Sequence, residues 1–178
     1  MKKISLLIFV VVFSLTQLVA QQSTFVSGDK VFNFGIGLGS TYYNALYDNR
    51  IPALTGSFDV GVSDEVFEKG SIGVGGYLAY SSARFLNDRR TTNLIIGGRG
   101  SFHYPLVEKL DTYTGLLLGY NFTNAPYYNN YLGLDQLRSQ IAVAWFAGVR
   151  YYFNDNIAGM AEIGYGIAYL TLGIAVKL

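Results

Sequence analysis

Between Gln140 and Phe153 the chain reads QIAVAWFAGVRYYF, and its side chains sort by parity. The odd positions Ile141, Val143, Trp145, Ala147, Val149, Tyr151 and Phe153 carry no charge, while the even set, from Gln140 to Tyr152, mixes small, polar and charged residues, Arg150 among them. Successive side chains of a strand point to opposite faces, so this is one long strand with an apolar face and a mixed face. A helix would smear the two sets together, and the β-branched and aromatic content also favours a strand. A chain built of such segments folds as a sheet, and what remains is which face meets water.

Eight segments share the pattern. Lys30 to Gly39 sets Phe32, Phe34, Ile36 and Leu38 against Asn33 and three glycines; Ala53 to Val62 sets Leu54, Phe58, Val60 and Val62 against Thr55, Ser57, Asp59 and Gly61. Ser71 to Ser81 and Thr92 to Tyr104 follow, the latter with Leu94, Ile96, Phe102 and Tyr104 opposing Asn93, Gly97, Arg99, Ser101 and His103; Ile95 interrupts that polar set. Thr112 to Asn121 is fifth and the opening stretch is sixth. Ile157 to Ala168 opposes Ala161, Ile163, Tyr165 and Ile167 to Met160, Glu162, Gly164 and Gly166, and Tyr169 to Leu178 closes the series. Each is near the roughly 9–11 residues that a tilted strand needs to cross a bilayer.

The N-terminus stands apart. Met1-Lys2-Lys3 is basic, Ile4 to Val19 is apolar, and Ala20 is a small residue before polar Gln21-Gln22-Ser23-Thr24. This is the layout of a secretory signal peptide over 1–20, with an apolar stretch short for a membrane span of about 20 residues. A short periplasmic lead-in over 21–29 and one domain over 30–178 follow. There is no cysteine, hence neither a disulfide nor a lipidated cysteine. With Lys2 and Lys3 set aside the charges nearly balance, which leaves no electrostatic case for nucleic acid. Charged residues make up 14% of the chain, against roughly 25% in soluble domains, while Gly, Tyr and Phe number 21, 15 and 12. Secreted, poorly charged, aromatic and without a long apolar helix is the combination expected of a transmembrane β-barrel.

The connections alternate in character. Ser63 to Gly70, Pro105 to Asp111 and Asn154 to Asn156 are compact and carry turn residues. Ser40 to Pro52, Ser82 to Thr91 and above all Phe122 to Ser139 are longer and polar, and only the hairpin near Ala168 is tight on that side. Short turns at one end and long loops at the other is the asymmetry of outer-membrane barrels, and an even strand count puts both ends of the barrel domain at the periplasmic side.

Two eight-stranded barrels satisfy the alternation. A lipocalin-type barrel turns its apolar face inward and a membrane barrel turns it outward. The non-apolar face here is mostly Gly, Ala, Ser and Thr, which suits a cramped interior better than a solvated exterior. Small residues leave room for Tyr77, Phe146, Tyr152, Leu117, Arg99 and Arg150, and eight strands enclose just enough space for side chains to fill. The expected fold is therefore an all-β, eight-stranded antiparallel up-and-down transmembrane barrel. Its inward ionisable residues are Asp59, Glu162, Arg99, Arg150 and Lys177, with His103 close by, and buried charges must pair. Trp145 faces lipid. Phe102, Tyr104, Tyr151 and Phe153 form the periplasmic aromatic girdle, and Tyr80, Tyr120 and Tyr165 the outer one.

PLVEKLDTYTGLLLGYNF (Pro105 to Phe122), the Arg99 and Glu162 strands, the ending YLTLGIAVKL and the glutamine after the expected cut resemble the small outer-membrane β-barrel proteins of Bacteroidota, often called porin-family proteins. The resemblance spans the whole chain after the leader, with loose motifs. It implies the outer membrane as location, lipids including lipopolysaccharide as surroundings, and the barrel-assembly machinery as partner; it implies no activity. The chain ends in Leu178, where such barrels usually end in an aromatic residue.

His103, the sole histidine, lies two residues from Ser101 on the same face, with Asp59 or Glu162 as an acid. A nucleophile and base at i and i+2 are separated by about 7 Å of strand rise, too far for the bond that activates a serine, so His103 is expected in a polar plug and no catalytic residue is assigned. One histidine and no cysteine give no metal site, and no cofactor motif is present: Gly75-Gly76 and Gly97-Gly98 lie inside strands. Arg84, Arg89 and Arg90 form a loop cluster able to meet lipid phosphates or simply water, with Asp88 beside it. Tyr127, Tyr128 and Tyr131 share the longest loop with several Asn, a composition that recognition surfaces use, and packing of the tyrosines on the barrel rim is the alternative. Two functions follow from these residues: a plugged barrel that supports the envelope or binds through its loops, and a narrow channel for small solutes. A lipid-modifying enzyme ranks behind both.

Overall fold

The computed structural model describes residues 24–39, 47–85, 89–124 and 139–178. The expected leader over 1–20 lies outside the described residues. The eight strands are β1 Lys30–Leu38, β2 Tyr47–Val66, β3 Gly70–Phe85, β4 Arg89–Val107, β5 Leu110–Asn124, β6 Gln140–Tyr152, β7 Ile157–Gly164 and β8 Leu170–Lys177. Every strand pairs antiparallel with its sequence neighbours, and β1 closes on β8 from Val31↔Lys177 to Leu38↔Leu170. Closure removes the free edges that a sheet this apolar would otherwise present for aggregation.

The outward face is the apolar one. Phe34, Leu116, Leu118, Ile141, Val143 and Trp145 are all exposed, whereas Asp59, Arg150, His103 and Asp111 are shut off from solvent. A water-soluble barrel has the opposite polarity, so the exterior is built for lipid. Trp145, Tyr151 and Phe153 are exposed on this face; Phe102 and Tyr104 are half-buried because they lean on each other, 6.3 Å between ring centres. Phe67, in the β2–β3 turn, packs edge-on against Phe102.

The strand ends depart from expectation. β2 begins at Tyr47, inside the expected long loop, and β3 and β4 run through the expected loop Ser82 to Thr91 as far as Phe85 and from Arg89. Polar residues there do not end the ladder, because Arg84↔Arg90 and Phe85↔Arg89 still pair. At the other end, β2 and β3 pair to Val66↔Gly70 and β4 and β5 to Val107↔Leu110, so both expected turns tighten to a few residues. The tight turns place Glu65, Phe67, Glu68 and Lys109 at positive φ. Such a backbone is uncommon for residues other than glycine.

β7 is shorter than the alternation through Ala168 implied. It stops at Gly164, and the chain then bends inward, so Ile167, expected on the lipid face, is buried together with Ala168. Both join an apolar lumen layer with Ala53, Ala79, Ile95, Leu117, Ala142 and Phe146. Ile95 therefore does not disturb the register: β4 pairs without a shift from Thr92 to Pro105 on its β5 side, and Ile95 is an inward residue of the apolar layer.

Candidate functional site in the barrel lumen

The inward face of β4 reads Asn93, Ile95, Gly97, Arg99, Ser101, His103, and those residues mark successive levels of the lumen. Near the outer end, Asn121 donates from Nδ2 to Asn93 Oδ1 at 3.0 Å, and Thr123 Oγ1 donates to the same oxygen at 2.9 Å. Below lies the apolar layer around Ile95. The charged level comes next, and a floor of Phe25, Val31, Tyr152, Ala158 and Ala175 closes the periplasmic end.

Two arginines organise the charged level. Arg150 Nη1 donates to Asp111 Oδ2 at 3.0 Å, Nε donates to Asn33 Oδ1 at 2.9 Å, and Nη2 donates to Asp59 Oδ2. Arg99 bonds Glu162 Oε2 through Nη2 at 2.9 Å and approaches Asp59 Oδ1 through Nε at 3.3 Å. Asp59 therefore joins the two guanidinium groups, held in turn by Asn33 Nδ2 at 3.0 Å. Aromatic faces complete the setting: Arg99 lies 3.9 Å from the Phe146 ring centre and Arg150 4.5 Å from that of Tyr113. Charges this deep are tolerable only when paired, and each of these is, although Asp59 Oδ1 and Arg99 Nε meet as an ion pair without a hydrogen bond. Gly75, directly across from Arg99 in the β3–β4 pair, leaves the space: a Cβ there would lie 2.8 Å from Asp59 Oδ1.

Arg150 is answered by Asp59 and Asp111, while Glu162 belongs to Arg99. The sequence puts Asp111 at the end of the Pro105 to Asp111 turn, although counting back two residues at a time from Leu117 through Gly115 and Tyr113 places it on the inward face. Lys177 stands apart from the network. Its Nζ pairs with Asp29 at 2.6 Å and donates to the Thr24 carbonyl at 3.1 Å, because it sits where the N-terminal segment folds under the barrel.

That segment is more than a lead-in. Phe25 is fully buried, its ring stacks on His103 at 4.0 Å, and its carbonyl accepts from Ser71 Oγ at 2.7 Å. Gly28 N donates to Gly61 O at 2.9 Å, adding backbone bonds between the segment and β2. Lone aromatics ahead of a first strand carry no periodic signal, so the sequence does not announce this floor.

His103 is in contact with Ser101 after all. Ser101 Oγ lies 2.8 Å from His103 Nε2, and His103 Nδ1 lies 2.8 Å from Asp111 Oδ1. Backbone rise alone overstates the gap, because side chains on one face lean along the strand and the imidazole spans part of the distance. Ser, His and Asp thus form a hydrogen-bonded chain of the kind that activates a nucleophile. Its surroundings oppose that use. All three side chains are buried, Phe25 covers the imidazole, and Asp111 is shared with Arg150. A scissile carbonyl would have to displace the floor to reach Ser101.

The expected surface residues fall differently. Arg84 and Arg90 face each other across β3 and β4 instead of lying in a loop, and Arg90 Nε donates to Ser82 Oγ at 2.7 Å. Arg89 opens β4, its side chain outside what is described. Tyr127, Tyr128 and Tyr131 lie outside the described residues.

No family model matches the sequence, and no curated relative does either. Solved structures match its shape. The outer membrane protein OprG from Pseudomonas aeruginosa aligns over 89% of this chain and 99% of its own, with a TM-score of 0.57 and 11% identity. The Yersinia pestis outer membrane protein Ail, in a phospholipid bilayer nanodisc, aligns over 85% of this chain and 100% of its own, at a TM-score of 0.53 and 16% identity. A chain from the de novo design of transmembrane β-barrels covers 89% of this chain over its full length, at a TM-score of 0.52 and 20% identity. Natural and designed barrels match alike, so the likeness fixes the architecture, a transmembrane β-barrel, and carries no activity with it.

Proposed function

We propose that this protein is an integral outer-membrane barrel with a lumen closed by its own side chains, acting at the cell surface through the loops at its outer end. The observation that carries the reading is the stacked lumen: a polar level, an apolar level, the Arg99–Asp59–Arg150 network and the Phe25 floor follow one another along the axis. An apolar exterior calls for lipid, and the leader over 1–20 supplies export. With the interior occupied, chemistry available to a partner lies outside, and the β5–β6 connection is where the sequence concentrates Tyr and Asn. The buried Ser101–His103–Asp111 chain serves as part of the plug.

The test is topological. An epitope inserted between Asn129 and Asn130 is labelled on intact cells, and one fused after Leu178 is labelled only after the envelope is permeabilised. Removing 125–138 leaves the barrel in the membrane and abolishes surface binding. Equal labelling of both epitopes on intact cells contradicts the orientation.

A further inference from the structure

Among the described residues, the wall opens between β6 and β7. β7 pairs with β6 only from Phe146↔Gly164 to Tyr152↔Ala158, although β6 continues to Gln140. Beyond Gly164, where Tyr165 N still donates to Trp145 O at 3.0 Å, the chain turns into the lumen. A narrow cleft of about 30 Å³ remains between β6 and this turn. It has lipid-facing Trp145, Ile163 and Tyr165 at its mouth and Glu162 with Arg99 at its back.

Glu162 presents an unused oxygen to that cleft. Its Oε2 takes both bonds, from Arg99 Nη2 at 2.9 Å and Tyr113 OH at 3.2 Å. Oε1 has no partner among the described residues, and Glu162 is the least buried carboxylate of the network, its side chain 13% exposed against 1% for Asp59 and 2% for Asp111. The network also holds more carboxylates than arginines. Asp59, Asp111 and Glu162 face two guanidinium groups, with the His103 ring held between Asp111 and Ser101. Arg99 and Arg150 direct their bonded donors to those carboxylates and to Ser57 and Asn33, and Arg99 Nε makes no hydrogen bond.

We propose that this cleft binds a slender amphiphile with a terminal ammonium group, seated against Glu162 Oε1. The ammonium supplies a positive charge beside Glu162 and up to three donors. Tyr77, Trp145 and Tyr165 line the cleft, and aromatic side chains favour a cation. The volume holds about two water-sized groups, which fits the ammonium and its first methylene, and the rest of the alkyl chain lies outside along Trp145 and Ile163. This site does not depend on the loop-mediated role above, since it opens through the wall.

Trp145 is the sole tryptophan and sits at the mouth, so its fluorescence reports occupancy. The protein in phosphatidylcholine nanodiscs is titrated with octylammonium, octanol and octanoate. Octylammonium gives a saturable change with an affinity about tenfold or more above that of octanol or octanoate, the gain of one charge-assisted hydrogen bond. Glu162→Gln brings octylammonium to the octanol level. Should that variant fail to assemble, Ala144→Leu decides: it fills the cleft from β6 without removing any group of the charged network, and it abolishes the response while unboiled gel mobility is kept. Equal affinity for octylammonium and octanol in the unaltered protein, an unchanged response in Glu162→Gln, or a response retained in Ala144→Leu overturns the proposal.

Discussion

Asp111 and Arg150 are directly opposed in the β5–β6 pair, and Arg150 Nη1 donates to Asp111 Oδ2 at 3.0 Å with both side chains almost fully buried. The same carboxylate holds His103 through its other oxygen. One residue at the base of β5 therefore ties the arginine network to the Ser101–His103 chain.

Asp111→Ala leaves Arg150 with Asp59 as its remaining carboxylate and strips His103 of its Nδ1 partner. Breaking one side of a buried pair costs about 3–5 kcal/mol. Urea unfolding in lipid vesicles measures it, and Asp111→Asn, which keeps the shape and an acceptor, loses less.

The two other carboxylates should differ. Asp59 meets both arginines, while Glu162 meets Arg99 and keeps some exposure. Asp59→Ala is expected to cost about 3–5 kcal/mol, and Glu162→Ala less, about 1–3 kcal/mol. The order of unfolding midpoints checks this; a reversed order contradicts the pairing.

Phe25→Ala removes the ring that covers His103. A full Phe→Ala cavity is worth about 3–5 kcal/mol, but a terminal segment can undock without unfolding the barrel. The expected outcome is faster amide exchange and proteolysis over 24–29, with the strands still protected.

Leu118→Arg places a charge on the outward face, where Leu118 is exposed. Near the bilayer midplane this costs about 2–4 kcal/mol. Folding yield into phosphatidylcholine vesicles should fall accordingly; in a barrel with a wet exterior the substitution would be neutral.

Strand number, antiparallel order and the choice of faces were legible because alternation is periodic and local. So were Asp59, Arg99, Arg150 and Glu162 as inward charges, each being on the non-apolar face of its strand. Which carboxylate answers which arginine was not, because that depends on stagger between strands, set by closure of the whole barrel. Asp111 was hidden by the proline directly opposite it in the hairpin: Pro105 reads as a turn residue, yet it pairs with Asp111 inside the ladder. Ile167 followed the alternation of β7 and still faces inward, because the strand ends at Gly164 and a period says nothing about where it stops.

The most direct test of the plugged lumen is conductance of the purified protein in planar bilayers, alongside a triple substitution of Phe25, Arg99 and Arg150 by alanine. The account predicts no reproducible open steps for the unaltered protein and discrete openings once floor and network are removed, provided the variant still shows the barrel's unboiled gel mobility. Regular single-channel steps from the unaltered protein would contradict it.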